Sequence, residues 1–319
     1  MNPSLPADAP AAGTPAYTVR RESRSLHLPI RDVNYHVRLW GDPANCSPER
    51  PALVMVHGWM DVAASWQFLV DAMREDRFIV APDWRGFGHS RVHPDTDCYW
   101  FADYLADLEA LLNSAALPWP DLPHIDLLGH SMGGNVVMMY AGTRPARIRR
   151  LINLEGFGLP ERPAEHAPVQ MAKWLDELAA PQELRDYDGA PAVAQRLMKN
   201  NPRLRADKAE WLSQRWAQPD EHGRWRILGD PAHKRVNPYL YRVPEVLAFW
   251  KRISAPMLSV VGRQTSLQQW WGDRYTLAEF HERLKAVPQV RSEWIDDCGH
   301  MLHHDQPQRL AELIEDFLA

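Results

Sequence analysis

Short, continuous apolar runs alternate with amphipathic segments along most of this 319-residue chain. The runs cover residues 52–58, 77–83, 124–130 and 150–156, and each is rich in Val, Ile or Leu. Such runs suit strands that are buried on both faces of a parallel sheet. In the segments between them, apolar residues recur at spacings of three and four, as they do in helices. The alternation indicates repeated βαβ units and therefore an α/β fold.

The alternation starts, lapses and resumes at identifiable places. Residues 17–40 alternate apolar and polar side chains and predict an initial hairpin. After residue 156 the pattern changes to Pro-punctuated helical pieces rich in Trp, which we interpret as an inserted helical cap. Strand-like runs return at 255–262 and 290–296, and a closing helix follows. We therefore predict a core formed by residues 17–156 and 251–319, with a cap formed by residues 157–250.

Composition and charge limit the class of protein. The formal net charge is −5, and the local basic cluster of Arg147, Arg149 and Arg150 reads as a solvated helix end, so we expect no nucleic-acid partner. Three widely separated cysteines favour a reducing, cytoplasmic setting.

Residues 1–16 lack the basic and apolar regions of a signal peptide and predict a flexible arm. No apolar run reaches the length of a membrane span.

The clearest chemical motif is the sequence GHSMG at residues 129–133, which matches G-x-S-x-G between a predicted strand and a predicted helix. A sharp strand-to-helix turn leaves room only for glycine on either side of the central serine. The turn exposes the serine hydroxyl and directs the first amides of the helix at developing negative charge. We therefore predict Ser131 as a nucleophile and the backbone N–H of Met132 as an oxyanion donor.

A second oxyanion donor is expected in the loop after an earlier strand. The sequence His57-Gly58-Trp59 follows the apolar run LVMV, and its glycine lets the backbone turn towards the serine. We predict the Trp59 N–H as this donor and His57 as a residue that braces the loop. Asp83 and Arg85 are expected to brace a turn as a pair.

Together these motifs resemble the α/β-hydrolase superfamily, in its cap-bearing branch of esterases, C–C hydrolases, dehalogenases and epoxide hydrolases. The resemblance is carried by HGW (57–59), DWRGFGHS (83–90), GHSMGG (129–134) and DCGHMLHHDQP (297–307). It implies an eight-stranded, mostly parallel sheet flanked by helices, with a lid above the nucleophile. It also implies that His300, in the GH motif beyond the last strand, is the general base.

The third member of the implied triad departs from the family pattern. The loop after the seventh core strand, residues 262–266, contains no carboxylate where the family usually places an Asp. Some members of the family carry the acid after the sixth strand instead, and here that strand ends at Glu155. We therefore predict a triad of Ser131, His300 and Glu155. The alternative acids are Asp273, Asp296 and Asp297.

Four further residues near the predicted site are considered for metal binding or for substrate contact. His303 and His304 form an H-x-x-H-H pattern with His300, but a zinc ion there would occupy the general base. We therefore expect no metal ion and no cofactor. Trp270 and Trp271 lie just beyond the loop that lacks the acid, and we predict that they contact substrate.

The predicted reaction is two-step acyl transfer on a small or medium apolar carboxylic ester, a small-molecule substrate that suits an aromatic cap. A nucleophilic serine excludes the dehalogenase and epoxide-hydrolase reactions, which need an Asp nucleophile. Two alternatives use the same nucleophile, namely C–C bond hydrolysis and acyl transfer to an alcohol. A third alternative is a non-catalytic ligand-binding homologue, which would be favoured if no carboxylate reached His300.

Overall fold

The computed structural model describes residues 16–319, so the predicted arm lies outside the described residues except for Ala16. The strands are β1 (Arg24–Ile30), β2 (Val33–Trp40), β3 (Leu53–Val56), β4 (Ile79–Pro82), β5 (Ile125–His130), β6 (Ile148–Leu154), β7 (Asp186–Tyr187), β8 (Ala217–Pro219), β9 (Trp225–Ile227), β10 (Met257–Gly262) and β11 (Val290–Ile295). The helices are α1 (Gln67–Ala72), α2 (Phe101–Leu112), α3 (Met132–Thr143), α4 (Ala167–Ala179), α5 (Ala190–Asn200), α6 (Ala206–Trp216), α7 (Val243–Trp250), α8 (Leu267–Trp271), α9 (Leu277–Leu284), α10 (Leu302–Asp305) and α11 (Pro307–Leu318). Among the described residues, no helix is long and apolar enough to cross a membrane.

Eight strands form one sheet in the order β1-β2-β4-β3-β5-β6-β10-β11. The first two strands form an antiparallel hairpin, as predicted, and β2 also runs antiparallel to β4. The remaining neighbours pair in parallel. This sheet confirms the α/β fold and the mostly parallel arrangement that the resemblance implied. It places the ends of β3, β5, β6 and β10 side by side at one edge.

The apolar runs became strands with both faces covered. Every residue of β3, β4 and β5 is buried. One face of the sheet packs against residues of α2, α3, α7 and α9, and the other packs against residues of α1 and α11. Full burial of one Val or Leu side chain contributes about 1.5–3 kcal/mol, so these two layers stabilise the sheet from both faces.

The predicted cap, residues 157–250, is not exclusively helical. It contains α4 to α6 and a small antiparallel sheet in the order β7-β9-β8, whereas α7, which also falls within these residues, packs on the main sheet. Strands of two or three residues are too short to show an alternating pattern, which is why the sequence predicted helices alone.

Arg149 occupies a position that the sequence analysis assigned wrongly. It lies within β6, not at a solvated helix end, and its guanidinium donates to both carboxylate oxygens of Asp126 at 2.9 and 2.8 Å. Arg77 donates to the same carboxylate at 3.1 Å. Asp126 is fully buried in the neighbouring strand β5, and a buried carboxylate needs such partners.

Candidate active site

Ser131 lies in a sharp turn between β5 and α3. Its backbone has φ 53° and ψ −116°, in a region that side-chain-bearing residues rarely adopt and that costs about 1–3 kcal/mol. A Cβ at Gly129 would lie 2.3 Å from the Gly133 carbonyl oxygen, and one at Gly133 would lie 2.5 Å from that of Val56. The Ser131 N–H donates to the Leu154 carbonyl at 2.8 Å. The turn therefore takes the predicted form and holds the serine beside the end of β6.

Glu155 reaches His300 from the end of β6. Its Oε2 lies 2.7 Å from His300 Nδ1, and its carboxylate is fully buried, whereas the His300 side chain is 15% exposed. Because a carboxylate only accepts hydrogen bonds, Nδ1 carries the proton and Nε2 is left with a lone pair. Glu155 also has a positive φ of 53°, which turns its side chain sharply after the strand. The Glu155 carboxylate thus fixes the orientation of the His300 ring.

The loop that lacks the usual acid holds the Glu155 carboxylate instead. The Gly262 N–H donates to Oε1 at 2.8 Å, and the Thr265 hydroxyl donates to Oε2 at 2.6 Å. Together with His300, these donors supply three hydrogen bonds to the Glu155 carboxylate, which is buried away from water. The sequence offered no signal for Thr265 beyond its place in this loop.

Gln264 braces the loop that carries His300. Its side-chain Oε1 accepts from the Cys298 N–H at 2.9 Å, and its own N–H donates to the Cys298 carbonyl at 2.9 Å. The Asp305 carboxylate accepts from the Gly299 N–H at 2.8 Å. These contacts fix the backbone on the N-terminal side of the histidine, and none was predicted from the sequence.

The three alternative acids lie away from His300 Nδ1. Asp273, Asp296 and Asp297 are exposed, and within the described structure none of them hydrogen-bonds to His300. Asp296 faces Arg263 at 3.3 Å. Of the carboxylates considered from the sequence, only Glu155 meets the histidine.

The loop of the predicted oxyanion hole packs directly on the elbow. A Cβ at Gly58 would lie 3.1 Å from the Ser131 Cβ, so this glycine permits the close approach. His57 braces the loop: its Nδ1 donates to the Gly58 carbonyl at 2.7 Å, and its Nε2 accepts from the Trp84 N–H at 2.9 Å. Burial lowers the pKa of His57, in keeping with a neutral ring that donates once and accepts once.

Residues of the predicted cap hold this loop from the other side. The Trp59 indole donates to the His233 carbonyl at 3.3 Å, and the Trp216 indole donates to the Met60 carbonyl at 3.1 Å. Met60 has a positive φ of 54°. The side chain of Trp59 is nevertheless 52% exposed, so its ring is available to a ligand.

The two adjacent tryptophans have different surroundings. Trp270 stands edge-on to the His300 ring, with 4.5 Å between ring centroids, and is 45% exposed. Trp271 packs against the main core cluster, and the Arg274 guanidinium lies 5.6 Å from its ring centroid. The structure therefore brings Trp270, but not Trp271, to His300.

Asp83 and Arg85 brace turns, but not as a pair with each other. The Asp83 carboxylate contacts His36 Nδ1 at 2.7 Å and accepts from the Ala63 N–H at 2.7 Å. Burial alone would raise the pKa of Asp83, but its contacts with polar partners, led by the hydrogen bond from His36, together outweigh burial and lower it to about 2. Arg85 instead donates to the buried carboxylate of Asp107. The predicted Asp–Arg pairing was wrong because each side chain meets a partner distant in sequence.

His130, directly before the serine, contacts the loop that carries His300. Its Nε2 lies 2.8 Å from the His300 carbonyl oxygen. Burial, with the neighbouring His300 and His303, lowers the pKa of His130 well below its ordinary value, so the ring is neutral. The sequence analysis gave this residue no role.

Comparisons with known proteins identify the family of this chain. A family model described as the alpha/beta hydrolase fold matches residues 51–307. A serine hydrolase-like protein of Danio rerio is 25% identical, over 94% of this chain and 90% of that protein, and serine hydrolase-like protein 2 of Homo sapiens is 24% identical, over 92% and 93%. The solved thioesterase domain from the curacin biosynthetic pathway is 25% identical and has a TM-score of 0.74, over 92% of this chain and 99% of that one. The chain therefore belongs to the α/β-hydrolase superfamily, among its serine hydrolases.

Proposed function

We propose that this hydrolase cleaves small or medium apolar carboxylic esters through an acyl-enzyme formed on Ser131, with His300 as base and Glu155 as the acid. The observation that carries the proposal is the 2.7 Å contact between the buried Glu155 carboxylate and His300 Nδ1. This contact leaves Nε2 as the only basic nitrogen of the ring. A non-catalytic ligand-binding protein would be favoured if no carboxylate reached His300. The contact between Glu155 and His300 therefore counts against that alternative.

In the first step, Ser131 Oγ bonds to the ester carbonyl carbon while its proton passes to His300 Nε2. The carbonyl oxygen takes up the electron pair and is held by the N–H groups of Met132 and Trp59. When the carbonyl re-forms, the bond to the alcohol oxygen breaks and the alcohol leaves with the proton from Nε2. Glu155 stays ionised and stabilises the imidazolium.

In the second step, water replaces the alcohol. His300 Nε2 takes a proton from water as the water oxygen bonds to the acyl carbon, and the same N–H groups hold the oxyanion again. Collapse breaks the bond to Ser131 Oγ, which recovers its proton from Nε2. The acid is released and the enzyme returns to its starting state.

The preference for apolar esters rests on two exposed indoles. Trp59 directly follows Gly58, which packs against Ser131. Trp270 packs edge-on against the His300 ring. Both side chains are about half exposed, so both would lose contact with water when an apolar group binds. We propose that Trp59 and Trp270 contact the substrate, and that Trp271 acts through core packing.

Covalent labelling with a fluorophosphonate tests the activated serine. Wild type should be labelled stoichiometrically, Ser131→Ala should not be labelled, and the exposed Ser254→Ala should be labelled like wild type. An unlabelled wild-type protein would refute the acyl-enzyme mechanism and favour the binding-only alternative.

A second experiment separates the reactions that share this nucleophile. Hydrolysis rates on a series of p-nitrophenyl esters of increasing acyl length, with and without an added alcohol acceptor, distinguish hydrolysis from acyl transfer. We expect free acid as the main product and the highest kcat/KM at short or medium chain length. Ester formation in place of acid would favour the acyltransferase, and turnover of a diketone but not of esters would favour the C–C hydrolase.

A further inference from the structure

Three buried side chains that the proposed mechanism does not use converge behind the catalytic edge. They are Asp61, in the segment after the oxyanion loop, His130, before the nucleophile, and His303, in α10. One possible ligand atom of each lies within 4.8 Å of the other two. Their exposed fractions are 5%, 2% and 0%, so bulk water does not solvate them.

The hydrogen bonds of His130 leave one lone pair unused. Its Nε2 lies 2.8 Å from the His300 carbonyl oxygen, which can only accept, so Nε2 carries the N–H. In a neutral ring Nδ1 then carries a lone pair. Nδ1 is buried and has no hydrogen-bond partner among the described residues.

Asp61 and His303 are also incompletely satisfied. Asp61 Oδ1 accepts from the Ser65 hydroxyl, but Oδ2 is buried and has no hydrogen-bond partner within the described residues. His303 Nε2 lies 3.6 Å from this oxygen, beyond hydrogen-bond distance. Neither ring nitrogen of His303 has a partner in the described part of the chain. A buried polar atom without a partner costs about 1–3 kcal/mol, so three such side chains in one place require an explanation.

We propose that Asp61, His130 and His303 form a binding site for a divalent transition-metal ion. One carboxylate oxygen and two imidazole nitrogens are a ligand set that suits Zn²⁺ and similar ions. Three atoms that lie within 4.8 Å of one another leave a point no more than about 2.8 Å from each of them, and zinc ligands bind at about 2.0–2.2 Å. Each ligand atom therefore moves by at most about 0.8 Å towards the ion when the ion binds.

The proposed metal site leaves the general base free. The sequence analysis rejected a metal cluster of His300, His303 and His304 and expected no metal ion, and the His300 ring indeed turns its Nδ1 to Glu155. His303 instead meets Asp61 and His130, which come from segments distant in sequence. The inference concerns metal binding alone, and its test does not depend on ester hydrolysis.

Metal retention tests the proposal directly. The full-length protein would be treated with a chelator, incubated with Zn²⁺, passed through gel filtration and analysed for zinc. We expect one Zn²⁺ per chain in wild type and loss of this zinc in Asp61→Asn and His303→Gln, with affinity at least about 100-fold lower. His304→Gln is the matched control, because His304 is buried beside His303 and also has an unpartnered nitrogen but lies outside the ligand set.

Thermal unfolding supplies a second readout. Zn²⁺ should raise the Tm of wild type and of His304→Gln, because the ion binds the folded state, and should leave the Tm of the two ligand variants unchanged. Wild type that retains no zinc would overturn the proposal, as would equal retention in both ligand variants. If a variant does not fold, the spectrum of Co²⁺-loaded wild type decides: a thiolate charge-transfer band would place the metal on a cysteine and also overturn it.

Discussion

Replacement of Glu155 by Gln tests the proposed triad most directly. The substitution preserves the length and shape of the side chain and removes its charge. In the structure, Oε2 accepts from His300 Nδ1 and from the Thr265 hydroxyl, while Oε1 accepts from the Gly262 N–H. Glutamine has one accepting oxygen and one donating NH₂ group, so it cannot accept on both sides.

Each orientation of the new amide damages the site in its own way. With NH₂ towards Gly262, two donors face each other, and the unpaired buried group costs about 1–3 kcal/mol of stability. With NH₂ towards His300, the ring must accept at Nδ1 and carry its proton on Nε2. In that tautomer His300 cannot take the proton of Ser131. In both orientations the imidazolium of the reaction loses its negative partner.

The expected effect is a fall in kcat of about 10⁴-fold, the loss measured when Asn replaces Asp in a well-studied serine protease triad. This corresponds to about 5.4 kcal/mol of barrier, at 1.36 kcal/mol for each factor of ten. Turnover of p-nitrophenyl butyrate at saturation gives kcat, and thermal unfolding shows whether the variant is folded. Asp273→Asn is the matched control and should keep the wild-type kcat.

Two results would refute this reasoning. One is a folded Glu155→Gln protein whose kcat stays within about tenfold of wild type. This result would mean that His300 does not need the negative charge of Glu155 for turnover. The other is a loss of several orders of magnitude in Asp273→Asn, which would move the acid to the loop after α8.

Three other predictions follow from the structure. Arg149→Ala removes two hydrogen bonds from the buried Asp126 carboxylate, but Arg77 still donates to it, so the free energy of unfolding in urea should fall by about 1.5–3 kcal/mol; a loss below about 0.5 kcal/mol would contradict the buried pairing. Trp270→Ala should raise KM for an apolar ester without lowering Tm, whereas Trp271→Ala should lower Tm; the reverse pattern would exchange their roles. Burial lowers the pKa of His233 to about 3. Between about pH 6.5 and pH 3 the His233 ring is therefore protonated in the unfolded chain but not in the folded one, so the free energy of unfolding should fall as the pH is lowered through this range. His233→Phe should flatten that dependence in pH-dependent urea denaturation, and an unchanged slope would contradict the assignment.

Several features could be predicted from the sequence because they depend on near neighbours in the chain. The apolar runs were enough to predict buried parallel strands, since a side chain of either face must be apolar in such a sheet. The elbow at Ser131 was predictable because its glycines meet a local steric demand between consecutive elements. The place of His300 followed from the GH motif and the family resemblance.

The position of the proposed acid was only partly predictable. The sequence placed Glu155 at the end of the sixth core strand, but its contact with His300 depends on the register of two strands that are distant in the chain. Leu154 lies opposite Val260 in the sheet, and this pairing brings Glu155 beside Gly262 and Thr265. No local pattern encodes that register.

Tertiary structure alone decided which side chains meet. It separated Trp270 from Trp271, paired Arg149 with Asp126 across two strands, and brought His303 to Asp61 and His130 in place of His300. Sequence periodicity reports the burial of a residue and the face on which it lies. The identity of its partner is set by sheet register and by the packing of distant segments, which a single sequence does not display.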